Sequence, residues 1–215
     1  MAASPSSAAT MKLVGGDPCL DFVNTVGGRV RTSAGAPARV RDDKLASYAD
    51  VVAFALHARL LDEATGRALL RRSQTRRREA VAALRRALAF REALYRVLEA
   101  SKVGRRPDTA DLATVNAEIA ACRPHEELVP RRAGLAWEWR GAAGRLESPL
   151  WPVVRAAAAL LVSPELARLR RCGGDGCGWL FLDRSRNRSR HWCTMDDCGN
   201  LSKVRRFRRR HARPR

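Results

Sequence analysis

From about residue 15 to residue 162 apolar side chains recur at helical spacing. Asp43 can cap a helix running to about Leu61, with Leu45, Tyr48, Val52, Ala55 and Leu56 on its inner face. Thr75 can cap a long helix to about Ala100. Its apolar line is Val81, Leu84, Leu88, Ala89, Leu94, Tyr95 and Leu98, with arginines opposite. Gly104 and Pro107 end it, and Asp108 opens another helix to about Ala121. The charged stretches 67–78 and 85–96 read as solvated helix surface. An alanine-rich helix is expected over roughly 150–162. Ser163-Pro164-Glu165 is a restart signal, and a short helix over 164–171 would deliver the chain to Cys172.

Two stretches break this period. LVPRR (128–132), Gly134 and LAWEWRG (135–141) alternate around a turn signal and predict a hairpin. Further on, WLFLD (179–183) is strand-like, RSRNRSR (184–190) is a polar turn region with Asn187 in it, and HWC (191–193) suits a return strand. NLSKVRRFRRRH (200–211) has no Gly or Pro and predicts a helix, with Leu201, Val204 and Phe207 on one side. The fold class expected is mainly α with a small antiparallel β hairpin or sheet, an α+β arrangement.

Six cysteines add chemistry to the second break. Cys19 and Cys122 are isolated, whereas Cys172, Cys177, Cys193 and Cys198 form two C-x4-C pairs separated by fifteen residues. A structural zinc ion takes four such ligands at tetrahedral corners, and two short loops supply them with only one longer loop to order. The Gly- and Asp-rich segments CGGDGC and CTMDDCG suit a backbone bending round a metal. The alternatives are a disulfide set, disfavoured in the absence of a secretory signal, or four unlinked buried thiols, for which the repeated spacing would be a coincidence. His191, two residues before Cys193, is an alternative ligand. One structural zinc on the four cysteines is expected. Knuckle, hairpin, knuckle and helix in that order give a treble-clef-like finger.

The chain has 215 residues, enough for one large domain or two small ones, with 41 Lys and Arg against 22 Asp and Glu and a formal charge of +19. Only Lys12, Lys44, Lys102 and Lys203 are lysines, and alanine is abundant, so some of the arginine can be compositional. The location of the charge decides. Residues 168–215 hold fifteen cations against four acids, a net +11, and the remaining residues hold +8. The hairpin tip offers Arg184, Arg186, Arg188 and Arg190, which would share a face if the segment is extended. The helix offers Lys203, Arg205, Arg206, Arg208, Arg209 and Arg210, and the tail HARPR would trail along the backbone. Arginine forks onto phosphate and onto guanine edges, so these residues predict a nucleic-acid partner, with double-stranded DNA ahead of RNA. Trp179, Phe181 and Trp192 can stack on bases but suit the small core of the finger better.

The stretch 168–200, with Lys203 beyond it, resembles the bacterial CGNR-type zinc finger. Both cysteine pairs, the W-L-F-L-D-x-S run, the R-x-W-C run and C-G-N carry the resemblance, whereas the name-giving Arg is Leu201 here. CLDFVNTVGGR (19–29) and DKLASYADVVAFALHARLL (43–61) are similar to the opening of the ABATE domain that precedes this finger in its relatives. The resemblance implies a family described as stress-induced transcription regulators, hence a DNA-binding protein. It divides the chain into a disordered tail (1–12), an ABATE-like helical domain (13–163), the finger (164–211) and a basic tail (212–215).

Asp21, Asn24, Thr25 and Arg29 form a polar cluster in the ABATE-like opening. A cap and buried hydrogen-bond network is the simpler reading, and the wall of a small-ligand pocket the sharper one. Gly-rich phosphate loops, H-E-x-x-H and G-x-S-x-G are absent from the sequence. His57 sits in an apolar helix and His125 in a loop. The expected function is a DNA-binding transcription regulator, not an enzyme, in which the N-terminal domain senses a signal or forms a homodimer. A zinc-finger interaction or RNA-binding module is the alternative, and a metal nuclease using His191 ranks last. No run of about 18 apolar residues predicts a membrane span. The opening MAASPSSAAT reads as a floppy tail, and the expected compartment is the cytoplasm.

Overall fold

A computed structural model describes residues 7–29, 42–132 and 134–211, and for Arg209 and Arg210 the backbone alone. The first six residues, most of the segment between the first two strands, and the basic tail at 212–215 lie outside the described residues. The long apolar line forms α4 (Arg77–Lys102), and the helical unit is assembled around it. Against it lie α1 (Pro18–Val23), α2 (Tyr48–His57), α3 (Glu63–Thr75) and α5 (Thr109–Cys122), with α6 (Trp151–Leu161) packed on α1 and α5. Among the described residues, three two-stranded antiparallel sheets complete the fold. They are β1 (Val26–Gly27) with β2 (Asp42–Asp43), β3 (Glu126–Arg131) with β4 (Gly134–Trp139), and β5 (Leu169–Arg171) with β6 (Leu180–Leu182). The protein is mostly helix with small antiparallel sheets, as the pattern predicts.

The inner face of α4 is set by Ala80, Ala87, Phe90, Leu94, Val97 and Leu98, so Val81, one residue round the helix, is exposed. Phe90 meets Phe22 of α1, which packs edge-on against Phe54 of α2 at 5.4 Å. The arginines of α4 are not all opposite the core. Arg91 is buried and forks onto Asp43 at 2.7 Å through both terminal nitrogens. Asp43 is therefore committed to Arg91 and does not cap α2. Ser47 does, in a capping box with Asp50. Thr75 likewise closes α3, donating to the Arg72 carbonyl, and α4 begins without a side-chain cap. Asp108 caps α5 as expected, accepting from Ala110 N at 2.8 Å.

Residues 7–12, part of the predicted tail, are ordered into the core. Ala8 and Met11 are buried, and the Met11 carbonyl bonds the His57 ring at 2.8 Å. His125 ends a short 3-10 turn and stacks on Trp151 at 4.4 Å. Ser163 caps the restart, but it opens a 3-10 turn (Pro164–Arg168) that passes into β5, not a helix to residue 171. The competing term is tertiary: Leu169, Leu180 and Leu182 belong to the same core as α1, α4 and α6, which holds the chain extended there.

Candidate metal centre and nucleic-acid interface

The first cysteine pair sits at the turn of the β5–β6 hairpin. Cys172 N donates to Trp179 O at 2.8 Å, and Cys177 N to Gly174 O at 3.0 Å, which folds CGGDGC into a tight knuckle. The second pair opens a helix. Thr194 caps a π-turn (Met195–Gly199) that runs into α7 (Asn200–His211). HWC is thus not a return strand: β6 pairs with β5 instead, and Gly173 N bonds His191 O at 2.9 Å to bring the two knuckles together. One ligand pair in a hairpin turn and one at a helix start retain the treble-clef layout.

The four sulfur atoms lie within 4.8 Å of one another. A tetrahedral zinc–thiolate centre with bonds near 2.3 Å places its sulfurs about 3.8 Å apart. Cys177 and Cys193 meet this at 3.8 Å, and Cys193 and Cys198 at 3.5 Å. Backbone N–H groups of Cys193 and Gly174 point at Cys172 Sγ from 3.2 and 3.4 Å. The Cys177 and Cys193 thiols also bond to this sulfur, which holds its pKa far below the usual thiol range. Hydrogen bonds to Cys172, together with burial, push the Cys177 and Cys193 thiols up, and a divalent cation at the centre of the four sulfurs would displace those protons. Gly174 is required for this approach, because a Cβ there would lie 2.9 Å from Cys198 Sγ. The donor set fits one structural zinc with all four tetrahedral positions filled by protein. Its core is Phe181, Cys172 and Cys193, flanked by Trp179 and Trp192.

The chain matches a family model, ABATE, with the description "Putative stress-induced transcription regulator", over residues 16–164. The chain belongs to the ABATE family. A second family model, the CGNR zinc finger, matches residues 168–211. No curated protein matches the chain. Leu201, which stands where the finger's name-giving Arg is expected, is exposed in the first turn of α7.

The ABATE domain and the finger share a bonded seam. Asn24 brackets β6, donating from Nδ2 to Leu180 O at 2.8 Å and accepting from Leu180 N at 2.9 Å. Trp179 Nε1 donates to Val26 O, and Tyr95 OH to Gly178 O. Gly178 has a φ of +74°, and a Cβ there would lie 2.6 Å from Arg29 Cβ, so the seam needs glycine at this point. The polar cluster of the ABATE opening lies along this seam. Asp21 accepts from Gly15 N at 2.8 Å. Its burial raises the carboxyl pKa to about 6, against the pull of the Gly15 and Val14 N–H groups. Thr25 Oγ1 donates to Phe22 O and accepts from Arg91. Arg29 forks onto Glu92 and lies over the Tyr95 ring at 4.0 Å.

The structure separates eight of the ten predicted nucleic-acid contacts; the side chains of Arg209 and Arg210 lie outside the described residues. The tip 184–190 is a folded turn and not an extended strand, because Asp183 gathers it. Asp183 accepts from Ser185 N and Oγ through Oδ1, and from Arg190 N through Oδ2. Arg190 consequently turns inward, over the Phe181 ring at 4.2 Å and onto Val14 O, Trp192 O and Cys193 O. Arg184 is tied to Glu165 and to Gly16 O, both at 3.0 Å. Arg186 and Arg188 remain exposed, Arg188 with a left-handed φ of 49°. On α7, Lys203, Arg205, Arg206 and Arg208 are exposed, and Arg205 pairs with Asp175 of the first knuckle. Lys203, Arg206 and Ser202 face Gly173 and Trp192 across a groove of about 460 Å³ between α7 and that knuckle. Spacing in sequence could not show this groove, since its two walls come from different cysteine pairs.

Proposed function

We propose that the protein is a transcription regulator that docks duplex DNA through α7 and the first knuckle. The observation that carries this reading is the groove beside the metal centre, walled by Lys203 and Arg206, with Arg208 exposed further along the same helix. Lys203 and Arg206 neutralise phosphates, and a side chain of α7 reads base edges in the major groove. Arg186 and Arg188 reach flanking phosphate. Arg184, Arg190 and Arg205 act indirectly, by fixing the turn and the knuckle. The finger keeps its zinc as a structural ion in the cytoplasm, where thiols stay reduced. Four thiolates leave no position for an activated water, which supports a regulator over a hydrolase.

Salt titration of duplex binding tests the reading. Wild-type affinity should fall steeply with salt, and Lys203→Ala/Arg206→Ala should bind more weakly with a salt slope lower by about 2. Equal binding by the double variant overturns the assignment. The alternative of a protein-interaction module draws support from Leu201, Val204 and Phe207, which form an exposed apolar stripe on α7. Under that alternative Leu201→Ser/Phe207→Ser loses partner binding, while duplex binding shows no sequence preference.

A further inference from the structure

The β3–β4 hairpin extends from the ABATE core with one apolar face largely open to solvent, apart from the Arg155 guanidinium, which lies 5.1 Å from the centre of the Trp137 ring. Leu128, Leu135 and Trp137 share this face and are 51, 72 and 49% exposed. Trp139 at the base of the hairpin reaches Trp151, with ring centroids 5.7 Å apart. The opposite face is polar, with Arg131 paired to Glu138 and Arg140 to Glu127.

The two edges of the hairpin differ. Arg140 N donates to His125 O at 2.8 Å, one step below the ladder. Bonded and non-bonded pairs alternate in an antiparallel ladder, so the N–H and C=O groups of residues 128, 130, 135 and 137 turn outward. On β3 this outward row is broken by Pro130, which has no N–H. On β4 Leu135 and Trp137 present both groups, and no third strand pairs with them among the described residues.

We propose that β4 is a dimerisation edge, to which a second copy of this chain adds its own β4 in antiparallel register about a two-fold axis at Ala136. Each Leu135 then meets the partner's Trp137 in a hydrogen-bonded pair, and two marginal hairpins become one four-stranded sheet. Charge selects a second copy as the occupant. The chain carries +19 and repels itself over most of its surface, but residues 126–140 hold three Glu and three Arg. These are unevenly placed: Glu126, Glu127 and Glu138 lie toward the base, where Arg140 and Arg155 offset two of them, and Arg131 and Arg132 lie at the tip, which leaves the base acidic and the tip basic. Antiparallel pairing lays each basic tip on the other copy's acidic base. The three apolar side chains expose on the order of 300 Å² per copy, a patch of the size that marks interaction sites. That is below the ~800 Å² per partner of a standard interface, so the dimer is a weak one that assembles in the micromolar range.

Ala136 at the axis faces the partner's Ala136 in a non-bonded pair, with Cα atoms about 4.5 Å apart and within disulfide reach. The test is sedimentation of the zinc-loaded full chain across the micromolar range, without DNA, together with mild oxidation of cysteine variants. Ala136→Cys should give a covalent two-chain species, and Val129→Cys, on the other strand, should not. Leu135→Pro removes one outward N–H and leaves the hairpin's own ladder intact. It should sediment as a monomer with unchanged zinc content and circular dichroism, as should Trp137→Glu. The proposal is overturned by a wild-type monomer at every concentration, by a dimer that survives both variants, or by a dimer lost only on Leu201→Glu.

Discussion

Replacing Asn24 with Ala tests the seam between the ABATE domain and the finger. The side chain is 1% exposed and holds both polar groups of Leu180, at 2.8 and 2.9 Å. Leu180 is itself fully buried, so Asn24→Ala strands one N–H and one C=O away from water. Each stranded group costs about 1–3 kcal/mol, giving a loss of about 4 kcal/mol. A single domain is stable by about 5–15 kcal/mol, so the variant gives up a large share. With a urea slope of roughly 2.5 kcal/mol/M, the midpoint should fall by about 1.5 M. Equilibrium unfolding of the zinc-loaded chain, followed by tryptophan fluorescence, measures it. Asn24→Asp should do no better, because it keeps the acceptor for Leu180 N but sets a carboxylate against Leu180 O. A midpoint shift under about 0.3 M for Asn24→Ala would refute the reasoning. It would also revive the reading of Asn24 as part of a ligand wall, a position where substitution leaves stability unchanged.

Gly174→Ala forces a Cβ against Cys198 Sγ, and zinc affinity measured by chelator competition should fall by about 10-fold or more, with an unchanged affinity counting against the packing argument. Arg190→Ala should weaken zinc retention and lower the unfolding midpoint, since this guanidinium ties Val14 O to Cys193 O; Arg186→Ala, at an exposed position, should change neither. Asp21 has a folded pKa raised from 3.8 to about 6, so the stability its protonation contributes is present below about 3.8 and lost as pH rises through about 6. Asp21→Asn should flatten that pH window in urea unfolding and stabilise the chain at neutral pH by up to about 3 kcal/mol. A wild-type pH profile in this window that the substitution leaves unaltered would contradict it.

The sequence alone determined what depends on local pattern. Helical periodicity marked α4, α5 and α6, alternation marked β3 and β4, and Asp108 was legible as a cap because its bonds close within three residues. The metal ligands were legible for a related reason: each C-x4-C pair must close a short loop whatever surrounds it. Contacts between distant segments were decided only by the tertiary structure. Asp43 has the sequence features of a cap, yet its carboxylate is taken by Arg91, 48 residues away, because a buried guanidinium requires a counter-charge. The segment HWC looked like a strand, but β6 had already found β5. Arg184 and Arg190 looked equivalent to Arg186 and Arg188, since all four are evenly spaced arginines in one polar run. The fold distinguishes them because Glu165 and the Gly16 carbonyl hold the Arg184 side chain and the Val14 carbonyl holds that of Arg190, while Arg186 and Arg188 stay exposed. Sequence spacing reports which groups can be neighbours along the chain. Which buried polar groups need a partner from elsewhere, and which basic groups remain for a partner molecule, is set by burial, and burial exists only once the segments are packed.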